Sequence, residues 1–305
     1  MDAHSPRVHL YSLPNEVFVQ IFSPFSTKAL LPLTTVSQRF HALILRILHY
    51  RLLLSASLKE YKLILECFHP TSKLIEPHVF CQYLGTDGLS DNYEGEGSLY
   101  ENVQTAQQLA RLSSLYTRFR PEVTVEERSS GARLVPSTDH DPDSLVVTRP
   151  VNLEEDENFS QLCVVVNIVK VMPGTNLLLS TITVEDGVIR IFRDWLKEQA
   201  GRPHSSTGSS LEKGNHPSAG GEESQMLWVG QSKNVGLKVR VREKTYLNRP
   251  VPILFHQDED PFTSYELYID ELHIRTTRLL MTMEQSLQEQ QNYTKAMVFT
   301  RSALG

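Results

Sequence analysis

The sequence predicts an α+β protein, in which a module of three short helices precedes a mainly antiparallel, β-sandwich-like domain with one or two helices. Apolar residues recur at helical spacing near the N-terminus. Beyond residue 58, several segments alternate apolar and polar side chains as strands do. We therefore expect a helical module over residues 9–50 and a β-rich domain over residues 58–300, with mobile, low-complexity insertions near 128–144 and 201–224.

The first fifty residues carry the start and stop signals of the three helices. Pro14 suits the first turn of a helix, because its missing N–H would have no partner there. Ser26 is a capping residue for a second helix, which Pro32 stops. Thr34 or Thr35 is expected to cap the third. The apolar stripe of that third helix consists of Val36, Phe40, Leu43, Ile44, Ile47 and Leu48.

A module of this size is too small to bury all of these side chains within itself. A large apolar side chain that stays in water forgoes roughly 1.5–3 kcal/mol of stabilisation. Part of the apolar surface is therefore expected to face either the rest of the chain or a partner protein.

The residues of this module follow the pattern Leu13-Pro14-x-Glu16-Val17, then Ile21-Phe22, then Leu30-x-x-Leu33-x-x-Val36-Ser37-x-x-Phe40. This pattern resembles that of a known family, the F-box. Ser37 and Phe40 stand where that family commonly has a cysteine and a tryptophan. The resemblance implies that the module docks onto the Skp-family adaptor of cullin–RING ubiquitin ligases. An N-terminal helical subdomain that packs only on the chain's own core is the alternative. The residues that carry the resemblance, and that it implies as adaptor contacts, are Leu13, Pro14, Val17, Ile21, Leu33, Val36 and Phe40, together with Glu16, Phe22 and Leu30 in the pattern.

The region after residue 58 is predicted to consist mostly of strands. The predicted strands cover 61–70, 74–83, 145–153, 160–172, 176–184, 234–243 and 264–275, and the predicted helices cover 101–115, 186–199 and 275–291. The chain as a whole also resembles F-box proteins of filamentous fungi that carry a β-rich second domain. That resemblance rests on EGEGSLYENV, DGVIRIFRDWL and DEDPFTSYELYIDELHIRTT, and it implies no activity.

Composition narrows the classes of partner and compartment. A net charge of -6 argues against general binding to nucleic acid. Three cysteines without a CxxC pair are typical of a reducing compartment. We find no secretory signal and no run near the ~18 apolar residues of a membrane span. The sequence thus predicts an intracellular protein of the cytoplasm or nucleus that binds no membrane.

The sequence offers few candidates for chemistry. Residues 256–260, HQDED, lack the glycine and the distal carboxylate that a calcium loop needs, so a polar turn is favoured and no metal or other cofactor is expected. No Gly-x-Ser-x-Gly or P-loop motif is present. Cys163 falls in a buried strand, and the paired acids Glu94 and Glu96 fall in a loop. We therefore predict that the chain is not an enzyme.

A basic stripe is the strongest candidate for binding a target. Lys238, Arg240 and Arg242 share one face of a predicted strand, where arginine pairs well with phosphate or carboxylate. The alternative is a solvated strand face that is neutralised by acids across the sheet, such as Glu266 and Asp270. Trp228 is a second candidate, for stacking on a peptide or sugar.

These features predict a non-catalytic, substrate-recognition subunit of a Skp–cullin–F-box ubiquitin ligase. Its helices would bind the adaptor and, through it, a cullin, while the β-rich domain would hold an unknown protein substrate. Two alternatives stay open. One is an F-box module that acts as a scaffold outside the ligase, and the other is a ligand-binding, carbohydrate-like sandwich.

Overall fold

The structure is a computed structural model. It describes residues 12–59, 61–73, 76–95, 98–122, 146–154, 156–171, 178–202, 225–244 and 263–292. The predicted insertions at 128–144 and, beyond residue 202, at 201–224 lie outside the described residues, and so does the polar turn at 256–260.

The described chain contains six α-helices, one 3-10 helix and nine strands. The helices are α1 (Asn15–Phe22), α2 (Thr27–Leu30), the 3-10 helix (Leu31–Thr35), α3 (Gln38–Ala56), α4 (Thr105–Ser113), α5 (Arg193–Ala200) and α6 (Thr276–Asn292). The strands are β1 (Tyr61–Phe68), β2 (Val79–Thr86), β3 (Tyr116–Glu122), β4 (Val147–Leu153), β5 (Phe159–Val171), β6 (Leu178–Phe192), β7 (Met226–Trp228), β8 (Val235–Glu243) and β9 (Thr263–Arg275).

These elements form two compact units. Among the described residues, a helical unit takes in 12–57, 87–115 and 276–292, and a strand unit takes in the remainder between 58 and 275. The helical unit therefore includes α4 and α6 in addition to the N-terminal helices.

The N-terminal helices begin at capping residues, as predicted for α2 but not for α3. The Ser26 hydroxyl accepts a hydrogen bond from the amide of Ala29 at the start of α2. At α3 the cap is Ser37, whose hydroxyl accepts from the amide of Phe40 at 3.2 Å. Thr34 and Thr35 were expected in this role, but their hydroxyls donate to backbone carbonyls one turn earlier, inside the 3-10 helix.

The core of the helical unit is built from distant parts of the sequence. Three aromatic rings, Phe18, Phe22 and Phe40, pack at centroid distances of 5.1 to 5.8 Å. Leu99, Leu112 and Leu115 join this core from the segment around α4, and Leu280 joins it from α6. Burying each large apolar side chain contributes roughly 1.5–3 kcal/mol, so these later segments stabilise the N-terminal helices.

The strand unit is one antiparallel sheet of nine strands, which confirms the predicted antiparallel β-rich class. The strand order is β6-β5-β1-β2-β3-β9-β8-β7. The N-terminal half of β9 pairs with β4 on the edge where its C-terminal end pairs with β3. The sheet nearly closes on itself, because Gly187 of β6 lies against Val229, the residue after β7. The β-rich domain that the sequence predicts as sandwich-like is thus a single, nearly closed antiparallel sheet.

The helix predicted over residues 186–199 is wrong in its first half. Strand β6 continues to Phe192, and only Arg193–Ala200 is helical. Ile189 and Ile191 are buried, whereas Val188 and Phe192 are both 53% exposed, which is the alternation of a strand. The apolar residues of 186–192 fit both periods, and pairing with β5 along the whole strand decides between them.

Candidate functional site

The N-terminal helices expose several large apolar side chains. Ile21 is 42% exposed and Val36 is 54% exposed, and Pro14 is also exposed. Leu13, Val17 and Leu33 are half-buried. Exposed apolar side chains that cluster in one region are typical of a binding surface. We call Leu13, Pro14, Val17, Ile21, Leu33 and Val36 the apolar face.

Phe40 differs from the other predicted adaptor contacts, because the structure places it in the core. Its side chain is only 7% exposed and packs edge-on against the rings of Phe18 and Phe22. It is thus available to a partner only through a small part of its surface. Its effect on a partner is expected to come from holding α1 against α3.

The sequence analysis missed several exposed apolar residues, among them Phe25 and Leu31 in the segment between α1 and α3. Phe25 and Leu31 are 45% and 37% exposed. Phe25 lies in the loop between α1 and α2, where the sequence predicts only the end of a helix. An aromatic residue inside a short polar loop is the signal in the sequence that could have indicated its exposure.

Two arginines fix the backbone around the apolar face. Arg39 of α3 donates to the carbonyl of Leu13 and, at 2.8 Å, to the side chain of Asn15. Arg51, also on α3, donates to the carbonyls of Ser23 and Phe25 at 2.9 and 2.7 Å. Both ends of α1 are therefore tied to α3 by charge-assisted hydrogen bonds.

A cleft of about 440 Å³ opens in the same unit between α3 and residues 93–108. Its walls include His41, Arg46, Tyr93 and Tyr100. The Arg46 guanidinium lies over the ring of Tyr93, 5.8 Å from its centroid. Burial raises the pKa of Tyr93 to about 12, so its hydroxyl stays protonated and is a hydrogen-bond donor rather than a base.

The basic stripe of β8 is partly neutralised within the sheet. The Arg240 guanidinium forms two hydrogen bonds with the carboxylate of Asp270, at 2.7 and 2.8 Å. Lys238 lies opposite Glu271, and hydrogen bonding to His273 holds the pKa of the Glu271 carboxyl below its ordinary value. Arg242 and Arg240 each lie 5.5 Å from the ring centroid of Tyr268. This arrangement favours a structural role for Arg240.

Trp228 is half-buried and packed within the strand unit. Its ring lies 5.4 Å from that of Tyr116, and the Lys233 ammonium lies 5.7 Å from its centroid. Gly236 on the neighbouring strand lies directly against the Trp228 ring. The ring therefore has only part of its surface available for stacking on a ligand.

Burial makes two of the described cysteines weak nucleophiles. Burial raises the pKa of Cys67 to about 12 and also raises the pKa of Cys163, so their thiolates are scarce at neutral pH. Within the same ranges, no group of three or more His, Cys, Asp or Glu side chains is placed to hold a metal ion. Glu94 is exposed, and Glu96 lies outside the described residues.

Comparison with known proteins identifies the N-terminal helices. Residues 10–55 match the family model described as F-box-like, which covers α1, α2, the 3-10 helix and nearly all of α3. The chain therefore carries an F-box-like domain, followed by a β-rich region. No curated protein and no solved structure matches the chain. The further resemblance to fungal proteins stays a prediction.

F-box domains are typically non-catalytic modules that bind Skp-family adaptors. The matched segment contains every residue of the apolar face. In the described ranges, no helix has both the length and the apolar character that a membrane span requires.

Proposed function

We propose that this protein is a substrate-recognition subunit of a Skp–cullin–F-box ubiquitin ligase. The helical unit binds the adaptor, and the strand unit binds the protein to be ubiquitinated. The observation that carries the proposal is the F-box-like match over residues 10–55, the segment whose described part exposes Ile21 and Val36.

The exposure of the apolar face supports an obligate partner. Interfaces of obligate complexes resemble a domain core cut in half, with large apolar side chains at their centre. Ile21 and Val36 are apolar and more than a third exposed, while their neighbours Phe18 and Leu30 are fully buried. A partner that covers the exposed pair would extend this core across the interface.

In this proposal the chain contributes no reacting group. An adaptor-bound cullin brings a loaded ubiquitin carrier close to a lysine of the bound target, and the reaction gains rate from the raised effective concentration. The protein would work inside the cell, in the cytoplasm or nucleus, and would need no cofactor of its own.

The strand unit offers two surfaces for a target. The first is the basic stripe with Trp228, of which Arg242 is the most exposed arginine. The second is the outer face of β5 and β6, where Phe159 pairs with the 53%-exposed Phe192 at a ring distance of 5.9 Å. Arg190 lies over the ring of Phe159, so a cation stands beside this apolar pair. An apolar segment that carries a carboxylate fits the second surface.

Adaptor binding tests the first half of the proposal. Val36→Asp and Ile21→Asp in the full chain are expected to weaken binding to a purified Skp-family adaptor by at least tenfold, because each places a charge in an apolar interface. Val188→Asp is the matched control, since Val188 is equally exposed but lies on β6. A full chain that does not bind the adaptor, or a Val36→Asp variant that binds normally, would overturn the proposal.

Two further measurements separate the remaining alternatives. Copurification of a cullin with the chain and adaptor supports a ligase subunit, whereas an adaptor complex that excludes cullin supports a scaffold. For the target, Arg240→Glu with Arg242→Glu is compared with Phe192→Ser in capture of proteins from cells with a blocked proteasome. If only one of the two variants loses capture, the target binds at the surface which that variant alters. If both variants capture the target normally, both surfaces are excluded.

A further inference from the structure

A carboxylate of α6 caps the start of α2. The Glu284 side chain of α6 accepts a hydrogen bond from the Thr27 amide at 2.8 Å and another from the Thr27 hydroxyl at 2.7 Å. These two residues are 257 positions apart in the sequence. The Thr27 amide is among the first N–H groups of α2, which have no partner within the helix.

The same carboxylate binds Arg51 of α3. One guanidinium nitrogen of Arg51 lies 2.9 Å from Glu284 Oε1, and the other donates to the carbonyls of Ser23 and Phe25. Both side chains are mostly buried, at 17% and 20% exposure, so solvent screens their pairing less than at the surface. We call Thr27, Arg51 and Glu284 the clamp.

The clamp holds a part of the chain that has little stability of its own. Helix α2 has four residues, far fewer than an isolated helix needs to persist in water. The loop before it, which carries the exposed Phe25, is held through backbone carbonyls rather than by burial of its side chains. The loop and α2 lie between α1, which carries Ile21, and the 3-10 helix, which carries Leu33.

We propose that Glu284 is a positioning residue for the apolar face, acting through Thr27 and Arg51, and that α6 is thereby part of the adaptor-docking module. The inference rests on the proposed adaptor binding and adds a residue far outside the matched segment. The clamp orders the loop before the adaptor binds, so the free energy of binding does not include the entropic cost of ordering the loop.

Isosteric variants in the full chain test the clamp. Glu284→Gln removes the charge, and one of the two amide positions becomes a donor that faces the donors of Thr27 and Arg51. Thr27→Val removes the hydroxyl at nearly constant shape. Each is expected to lower adaptor affinity roughly five- to twentyfold, which is less than the full effect of a lost charge-assisted hydrogen bond because the clamp acts on the adaptor only through α2 and the loop before it. Thr27→Ser, which keeps the hydroxyl, is expected to retain near-normal affinity for the adaptor. Glu289→Gln, on the exposed part of α6, is expected to leave that affinity unchanged.

Titration to saturation separates positioning from folding. A positioning role lowers the affinity while the fraction of chains that bind at saturation stays that of the unmodified protein. A loss of binding-competent chains with normal affinity in the remainder would show a merely structural role and overturn the inference. Normal affinity in both Glu284→Gln and Thr27→Val would overturn it as well.

Hydrogen exchange distinguishes a failure of the clamp from a failure of the proposed function. In the free chain, the Thr27 amide is expected to exchange faster in Glu284→Gln than in the unmodified protein, with little change in the amides of α3. If the unmodified chain fails to bind the adaptor, the proposed function fails, and this inference falls with it even where exchange shows the clamp. If the adaptor binds and Thr27 exchange does not change, only the clamp is wrong.

Discussion

The Nδ1 atom of His49 lies 3.1 Å from the hydroxyl of Tyr100, inside the helical unit. The other ring nitrogen, Nε2, lies 2.9 Å from the carbonyl oxygen of Ser90. A carbonyl only accepts, so Nε2 carries the proton, Nδ1 accepts, and the Tyr100 hydroxyl donates. His49 is 0% exposed, which makes this hydrogen-bonded pair a buried polar link between α3 and the segment 87–115.

Removing the Tyr100 hydroxyl should therefore destabilise the helical unit. Tyr100→Phe leaves Nδ1 of His49 buried without a donor, at a cost of roughly 1–3 kcal/mol. Chemical denaturation followed by circular dichroism of the full chain measures this change in the free energy of unfolding. Tyr83→Phe is the control, because the Tyr83 side chain is exposed and a hydroxyl in water is replaced at little cost. Equal stability of the two variants would contradict the buried link.

Stability should also fall on acidification through the His49 site. Burial of the ring lowers the pKa of His49 below its ordinary value of 6.5, so the unfolded chain binds a proton more readily than the folded chain. The stabilising contribution is complete above about pH 7 and decreases as the pH falls below the unfolded pKa of about 6.5. Denaturation at several pH values should show a shallower slope over this window in His49→Gln than in the unmodified chain. Identical slopes would show that another group is responsible.

Local sequence patterns predicted much of the secondary structure. Strand β8 alternates apolar and polar residues over most of its length, and β9 does so on either side of Asp270 and Glu271, where its register with β8 shifts. Pairing in the sheet requires this period. The cap of α2 by Ser26 was predictable, because the capping residue lies within four residues of the helix that it starts. The same reasoning predicts the wrong element for residues 186–192, because their apolar positions fit both the helical and the strand period. Pairing with β5 decides in favour of the strand.

The candidate site was less predictable, because its residues depend on contacts between distant segments. The F-box pattern identified Ile21 and Val36, which the structure exposes, but it also suggested Phe40, which α1 covers. No local pattern indicates that α6 reaches α2, since the link consists of one carboxylate that meets Thr27 and Arg51. Burial and pairing of this kind are properties of the assembled fold.

A buried ion pair in the strand unit gives a prediction about stability. Arg149 of β4 is 1% exposed, and its guanidinium lies 3.2 Å from the carboxylate of Glu76. Arg149→Met leaves that carboxylate buried without its cation, which costs about 3–5 kcal/mol. The midpoint of urea unfolding of the strand unit should fall accordingly. Arg120→Met, on an exposed position of β3, should change the midpoint little, and a comparable fall in both variants would contradict the role of burial.

The contact between Trp228 and Gly236 predicts that Gly236→Ala changes both the stability and the tryptophan fluorescence of the protein. A Cβ atom added at Gly236 would lie 2.7 Å from Cε3 of the Trp228 ring, too close for two carbon atoms, so Gly236→Ala must displace the ring from the neighbouring strand. Overpacking of this kind costs roughly 1–3 kcal/mol. The displaced indole should also change tryptophan fluorescence, to which only Trp195 and Trp228 contribute. Gly201→Ala is the matched control, because the nearest atom to its added Cβ is 3.5 Å away and the backbone at the end of α5 is helical. Fluorescence and stability that are unchanged in Gly236→Ala would show that Trp228 does not rest on this glycine.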